Sequence, residues 1–291
     1  RDSAYVLAVA IALILLRSVG VPVLNIIILT ISLLAICVPA SKLVARIVEG
    51  KAHTFTVGGA VFVGIVAAPW IIELMNMTIM VDGHLPVIAS LAVLSIAYAF
   101  GEGIGRLACI SFGCCYGKQL CQCSQPVQKL FSRWHFRFIG QTKKIAYASG
   151  LEGEKVVPVQ AITALVYLGV GLLCTWLFLR GNIVSAFMIS IVTTQGWRVF
   201  SETLRADYRG EENVSAYQWM GLAAIPYALV MPLFFSGQVL SQPEIVSGLM
   251  TLWHPGTLLF LQVLWIVLFV YTGRSSVTGS QLSFFIHEDR I

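Results

Sequence analysis

Two stretches of the chain hold residue types able to do chemistry. The first, Gly105-Arg106-Leu107-Ala108-Cys109-Ile110-Ser111-Phe112-Gly113-Cys114-Cys115-Tyr116-Gly117-Lys118, ends an apolar run with glycines, an arginine and three cysteines. In the second, Arg198, Glu202 and Arg205 stand in another apolar run at i, i+4 and i+7, a spacing that puts them on one helix face. Two cations around one carboxylate leave a net positive charge. A charge at hydrocarbon depth costs about 2.5–3.5 kcal/mol on insertion scales and marks function. The two stretches together therefore predict a membrane-embedded anion site.

Arginine is permanently charged and presents a fork of donors that matches phosphate oxygens. Arg106 and Arg198 are thus candidates for holding a phosphate ester, with Arg205 beside them. The structural alternative is that Arg106 merely pairs with Glu102 and Arg198 with Glu202, each at i,i+4. Gly105, Gly113 and Gly117 would let backbone approach a ligand closely. Cys109, Cys114 and Cys115 offer a thiolate nucleophile, favoured by a nearby cation, or else act as small packed residues. Of the three, Cys114 is the catalytic candidate. Adding Cys121 and Cys123 gives Cys-Cys-x5-Cys-x-Cys, a conceivable soft-metal set that fits no standard zinc spacing, so no metal and no cofactor are assigned. His53 precedes Gly58 by little more than a helical turn and is a candidate base, or alternatively a headgroup-level histidine.

The elements that must position these groups are membrane spans. Of 291 residues, 57% are apolar and 11% charged, which excludes a water-soluble domain. Apolar segments at 4–16, 21–40, 55–75, 85–100, 158–179, 183–204, 217–235 and 255–271 predict an all-α polytopic membrane protein of about seven or eight transmembrane helices, forming one transmembrane domain over 1–291. Basic residues lie between the segments and the net charge is only +5, so nucleic acid is excluded as a partner and anionic lipid headgroups are expected. Residues 118–157 interleave lysines and arginines with Phe131, Trp134, Phe136 and Phe138, which predicts an interfacial arm, or else a solvated loop. Most basic residues fall in 41–53, 105–157 and 205–214, a side the positive-inside rule makes cytoplasmic. No leader with a cleavage site is recognisable.

Three blocks give the chain a family resemblance: Gly105 to Cys109 with Gly113 to Gly117; Pro158-Val159-Gln160; and Gly196-Trp197-Arg198-Val199-Phe200-Ser201-Glu202-Thr203-Leu204-Arg205 followed by Asp207. In order and spacing, over roughly 50–225, it resembles the prolipoprotein diacylglyceryl transferases. The resemblance implies a multi-pass enzyme of the inner (cytoplasmic) membrane. Such an enzyme moves the diacylglyceryl group of phosphatidylglycerol to a lipoprotein-precursor cysteine or other lipid acceptor and releases glycerol phosphate. It implies further that Arg106, Arg198, Glu202 and Arg205 hold the headgroup, with Gly105, Cys109, Gly113, Tyr116, Gly117 and Gln160 lining the substrate, and that the site faces the extracytoplasmic leaflet. The chain departs from the family pattern in four places. Val57 stands where the family has a histidine, Cys109 for an asparagine and Cys114 for a glutamate, and Val157 to Thr163 keeps only Pro158 and Gln160 of a His-Pro-x-Gln-x-Tyr-Glu motif. Two other classes stay open: a non-enzymatic lipid- or anion-binding protein or transporter, and a cysteine-based redox or metal-binding membrane protein.

Overall fold

The computed structural model describes residues 2–50, 56–78, 83–207, 214–235 and 242–273. Inside hydrocarbon every backbone donor and acceptor must be satisfied within its own segment, which leaves helices as the spanning element for such a chain. The described residues are accordingly all-α: α1 (Asp2–Ser18), α2 (Val23–Glu49), α3 (Val57–Thr78), α4 (Val87–Phe112), α5 (Gln125–Phe131), α6 (Lys144–Ser149), α7 (Val159–Leu179), α8 (Ile183–Glu202), α9 (Ala216–Phe234), α10 (Ile245–Leu252) and α11 (Pro255–Gly273).

Among the described residues five helices, α2, α3, α4, α7 and α8, are long and apolar enough to cross a membrane, and the α10–α11 pair, bent by 66°, has the composition of a sixth, either as one broken span or as a re-entrant turn. The chain is a polytopic membrane protein, and among the described residues the count by length and composition is somewhat below the expected seven or eight. The 17 residues of α1 extend about 26 Å at ~1.5 Å per residue, short of a ~30 Å hydrocarbon core. Pro226, Pro232 and Gln218 interrupt the apolar character of α9.

Three boundaries also moved. The expected basic loop at 41–53 is largely helical, because α2 continues through Lys42 and Arg46 to Glu49, residues with good helix propensity whose stems can lie along apolar surface. Gly105 and Arg106 lie inside α4, which runs to Phe112. α8 stops at Glu202, so Arg205 lies beyond the helix rather than on the face of Arg198 and Glu202.

α4 is the central element. Its apolar window is 67% buried, against 17% for α2, and it packs on α1, α7 and α8. Leu13 and Leu16 of α1, Ala92, Val93 and Ile96 of α4, Phe178 of α7 and Ala186 of α8 are all fully buried in one core. A Cβ on Gly103 would meet Tyr167 and Leu168 of α7 at 3.2 Å. Glycine there lets the two helices approach closely one turn before Arg106.

Residues 113–157 form a folded cap. Tyr116, Phe138, Ile145 and Val156 bury together, with Phe136 packed against them, and Leu120, Val157 and Val159 form a second cluster joined by Phe131. Val156 and Phe136 exchange backbone hydrogen bonds of 2.9 and 3.0 Å. Of the four aromatics expected on an outer surface, the three phenylalanines therefore turn inward. Trp134 stays out at 77% exposure, beside exposed Arg133 and Arg137. The cap encloses its own small core because its apolar residues cluster in space once the backbone pairs.

Candidate active site

Three helix ends meet at one cleft, which Arg106 of α4, Gln160, Thr163 and Tyr167 of α7, and Arg198, Ser201 and Glu202 of α8 line together with Cys115 and Arg205. The residues of α7 stand at i, i+3 and i+7 behind Pro158, so one face of its first two turns is polar. The free space among these side chains is about 10 Å³, room for about one water molecule.

The charges are more nearly balanced than the spacing implied. Arg106 pairs with Glu102, the structural pairing considered for it. Arg205 makes a bidentate contact with Asp207, Nε donating to Oδ1 at 2.7 Å and Nη2 to Oδ2 at 2.8 Å, and lies 3.6 Å from Glu202. Two arginines thus face three carboxylates, and the third guanidinium, Arg198, brings the sum to zero. The uncompensated positive charge expected from Arg198, Glu202 and Arg205 is offset by Asp207. Burial opposes the charge on Arg205, but Asp207, Cys115 and Glu202 outweigh it and hold the guanidinium protonated well above its ordinary range.

Arg198 differs from the other two. Among the described residues it makes no ion pair; its Nη1 donates to Tyr98 Oη at 3.4 Å. Tyr98 in turn meets the hydroxyl of Tyr167 at 3.4 Å, and Tyr167 donates to the Thr194 carbonyl at 2.9 Å, so a hydroxyl chain joins α4, α7 and α8. A Cβ on Gly58 would overlap the Arg198 guanidinium and the Tyr217 ring; the glycine is what gives Arg198 its place. Two buried polar atoms at the cleft have no hydrogen-bond partner, Arg106 Nε and Gln160 Oε1. One is a donor and one an acceptor, and a buried atom of either kind left unpaired costs about 1–3 kcal/mol.

The cysteines assemble at the end of α4. Gly113 adopts the left-handed conformation, φ 60°, with its N–H bonded to the Ile110 carbonyl at 3.3 Å while the Cys114 N–H reaches the Cys109 carbonyl at 3.1 Å. This is a Schellman ending, which sets the residue after the glycine against the one five positions earlier, here Cys114 against Cys109. Cys115 follows with φ 55°, the one described non-glycine residue with positive φ. The three Sγ atoms lie within 4.8 Å of one another. Hydrogen bonds from Cys109 and Cys114, with Arg205 and Arg106 adding to them, hold the Cys115 thiol well below its usual range, whereas hydrogen bonding with Cys109 and Cys115 pushes Cys114 up. The activation expected for Cys114 falls on its neighbour. Cys121 and Cys123 turn away, to the Gln119 side chain and carbonyl at 3.8 and 3.3 Å, so the Cys-Cys-x5-Cys-x-Cys set does not assemble.

The other expected site residues divide. Gln160 is 1% exposed and donates to the Cys114 carbonyl at 2.9 Å, tying α7 to the end of α4. Gly117 packs under the Val157 carbonyl and pairs with Arg205; with Lys118 N–H on the Leu204 carbonyl at 2.9 Å and Ala206 N–H on the Tyr116 carbonyl at 3.1 Å, this pairing fixes Arg205. Tyr116 does not line the cleft: it is buried in the cap, its hydroxyl on Ser149. Gly113 and Cys109 shape the α4 ending, and a Cβ on Gly105 would meet nothing within 4 Å. His53 lies outside the described residues. Sequence reasoning passed over Tyr98, Thr163 and Tyr167, and of the three thiols it weighed it took Cys114 rather than the cleft-lining Cys115. The polar i, i+3, i+7 stripe starting at Gln160 was the available signal for two of them.

Fold and site together define a class, a multi-pass helical membrane protein with an arginine-lined cleft at the ends of its central helices. The prolipoprotein diacylglyceryl transferase family matches the chain over residues 4–254 of 291, and the chain belongs to it. That family is one of transferases, which transfer the diacylglyceryl group of phosphatidylglycerol to prolipoprotein cysteine. Comparison with individual curated proteins and with solved structures gave no match.

Proposed function

We propose that this chain transfers a diacylglyceryl or related group from a glycerophospholipid such as phosphatidylglycerol to an acceptor thiol, with a lipoprotein-precursor cysteine as the leading acceptor. The observation that carries the reading is Arg198, a guanidinium facing the cleft with no carboxylate partner among the described residues. It is free to give its fork to phosphate oxygens, whereas Arg106 and Arg205 are held by their carboxylates and act as positioned neighbours. The acceptor sulfur attacks the glycerol carbon bearing the phosphate ester. A C–S bond forms, the C–O bond breaks with its electron pair going to the phosphate, and the thiol proton leaves with glycerol phosphate. Arg198 stabilises the charge that develops on the departing oxygen, where preorganised donors contribute most to rate. The unpaired Gln160 Oε1 accepts from a headgroup hydroxyl and Arg106 Nε donates to the phosphate.

On this reading the chain works as a single unit in the inner (cytoplasmic) membrane. Residues 118–157 lie at headgroup level, with Trp134, Arg133 and Arg137 toward the lipid. The test is the full chain in phosphatidylglycerol vesicles with a lipobox peptide. Mass spectrometry should find a diacylglyceryl adduct on the peptide cysteine with an equal amount of glycerol phosphate. Lipid bound tightly with the peptide unmodified would overturn transfer and leave a lipid-binding protein.

A further inference from the structure

We infer that Cys109, Cys114 and Cys115 form a three-coordinate site for a monovalent thiophilic cation of the copper(I) class, set against the arginine cleft. Among the described residues these three are the one group of metal-ligating side chains whose donor atoms converge, all within 4.8 Å of one another. The donors are all sulfur, with no imidazole or carboxylate among them. Soft thiolates select soft d10 ions over oxygen-seeking ones, and a structural zinc would require a fourth protein ligand, while Cys121 and Cys123 are engaged at Gln119.

The backbone builds the site rather than chance proximity. The left-handed Gly113 brings Cys114 back onto Cys109, and Cys115 is held at φ 55°, a conformation costly for a residue with a Cβ. Gln160 clamps the Cys114 carbonyl at 2.9 Å from the neighbouring helix. Two guanidinium groups stand beside the cluster as N–H donors toward its sulfurs: Arg106, whose Nη1 lies 4.0 Å from Cys109 Sγ, and Arg205, which shares the cleft with Cys115. An outer layer of donors to ligating sulfur is what such sites need. Metal binding here stands independently of lipid transfer and is read separately from it.

The experiment is an anaerobic titration of the reduced full chain in lipid nanodiscs with copper(I), in competition with a chromophoric chelator. One equivalent should be taken up. Cys109→Ser, Cys114→Ser or Cys115→Ser should each weaken uptake by more than about 100-fold, since loss of even an outer-shell partner typically costs about 10–100-fold, while Cys121→Ser and Cys123→Ser leave it unchanged. In the unaltered chain, copper(I) should protect Cys109, Cys114 and Cys115 from alkylation and leave Cys121 reactive, a readout that needs no variant to fold. Uptake no greater than the chelator background, dependence on Cys121 or Cys123, or zinc held as tightly as copper(I) would each overturn the site.

Discussion

The cleft is bounded by two helix endings built on different principles. The end of α8 adds side-chain charge to its backbone pairing with 116–118: Glu202 and Asp207 hold the Arg205 guanidinium, and Arg198 is left to face the cleft. The end of α4 is organised by backbone, through the left-handed Gly113, the left-handed Cys115 and the Gly113 and Cys114 N–H groups donating to the Ile110 and Cys109 carbonyls. Charges at fixed spacing can be read from a sequence, because residue type and helical period determine which groups meet. A backbone ending determines which neighbouring residues meet by its dihedral angles, and these depend on a glycine whose role shows only once the chain has turned. The two endings should therefore fail differently when altered.

The largest effect is expected at the α8 ending. The side chains of Arg205 and Asp207 are 7% and 10% exposed, and removing one partner of a buried pair costs about 3–5 kcal/mol. Asp207→Ala should lose about 3 kcal/mol, toward the lower end because Glu202 stays 3.6 Å from Arg205. Thermal unfolding in detergent checks this. A melting temperature unchanged within error would mean that the pair does not organise the ending.

Next comes Arg198. Removing one preorganised donor to a developing oxyanion typically lowers the rate by about 10²–10³, so Arg198→Ala should reduce transfer by that factor with the fold intact. Arg198→Lys should restore only part, because a point charge cannot reproduce the two-pronged contact. Full activity in the alanine variant would shift the phosphate to Arg106 and Arg205, and the contrast among the three arginines would fall.

Here the limits of the sequence are visible in particular residues. Arg106, Arg198, Glu202 and Arg205 were legible because charge in an apolar run is costly and stands out, and the structure brings all four to one cleft. Asp207 escaped the charge count because it lies past the helix, where spacing no longer predicts a face. Tyr116 read as a site residue from its position among glycines, yet burial of its ring outweighed that position and drew it into the cap core. The apolar segments gave the fold class. Among the described residues five or six helices have the length and apolar character of a span, somewhat below the seven or eight apolar segments, because α1 is short and polar residues and prolines dilute α9.

At the α4 ending, Gly113→Ala should cost about 1–2 kcal/mol, the penalty for a Cβ in the left-handed region. The strain is compounded by the Lys143 Cβ, 2.9 Å from where the new carbon would sit. If the backbone orders this ending, the same change should also open the cysteine cluster. Alkylation of Cys109 and Cys114 should then speed up although neither was altered. Unchanged alkylation would mean that the thiols hold themselves together, and the distinction between the endings would be lost.

The smallest effect is expected at Cys114. Its neighbour Cys115, not Cys114, lines the cleft, and hydrogen bonding with Cys109 and Cys115 keeps the Cys114 thiol protonated. Serine retains the size and the hydrogen-bonding capacity, and the Schellman bonds are made by the Gly113 and Cys114 backbone rather than by sulfur. Cys114→Ser should therefore lower stability by about 1 kcal/mol or less, the range of a single neutral hydrogen bond. Diacylglyceryl transfer measured on the lipobox peptide should stay within about twofold of the unaltered chain, a shift below about 0.4 kcal/mol. A Cys114→Ser variant that binds phospholipid normally but no longer turns over would make this thiol the nucleophile. The chemistry would then sit on the α4 ending, and the arginines of α8 would serve only to hold the lipid.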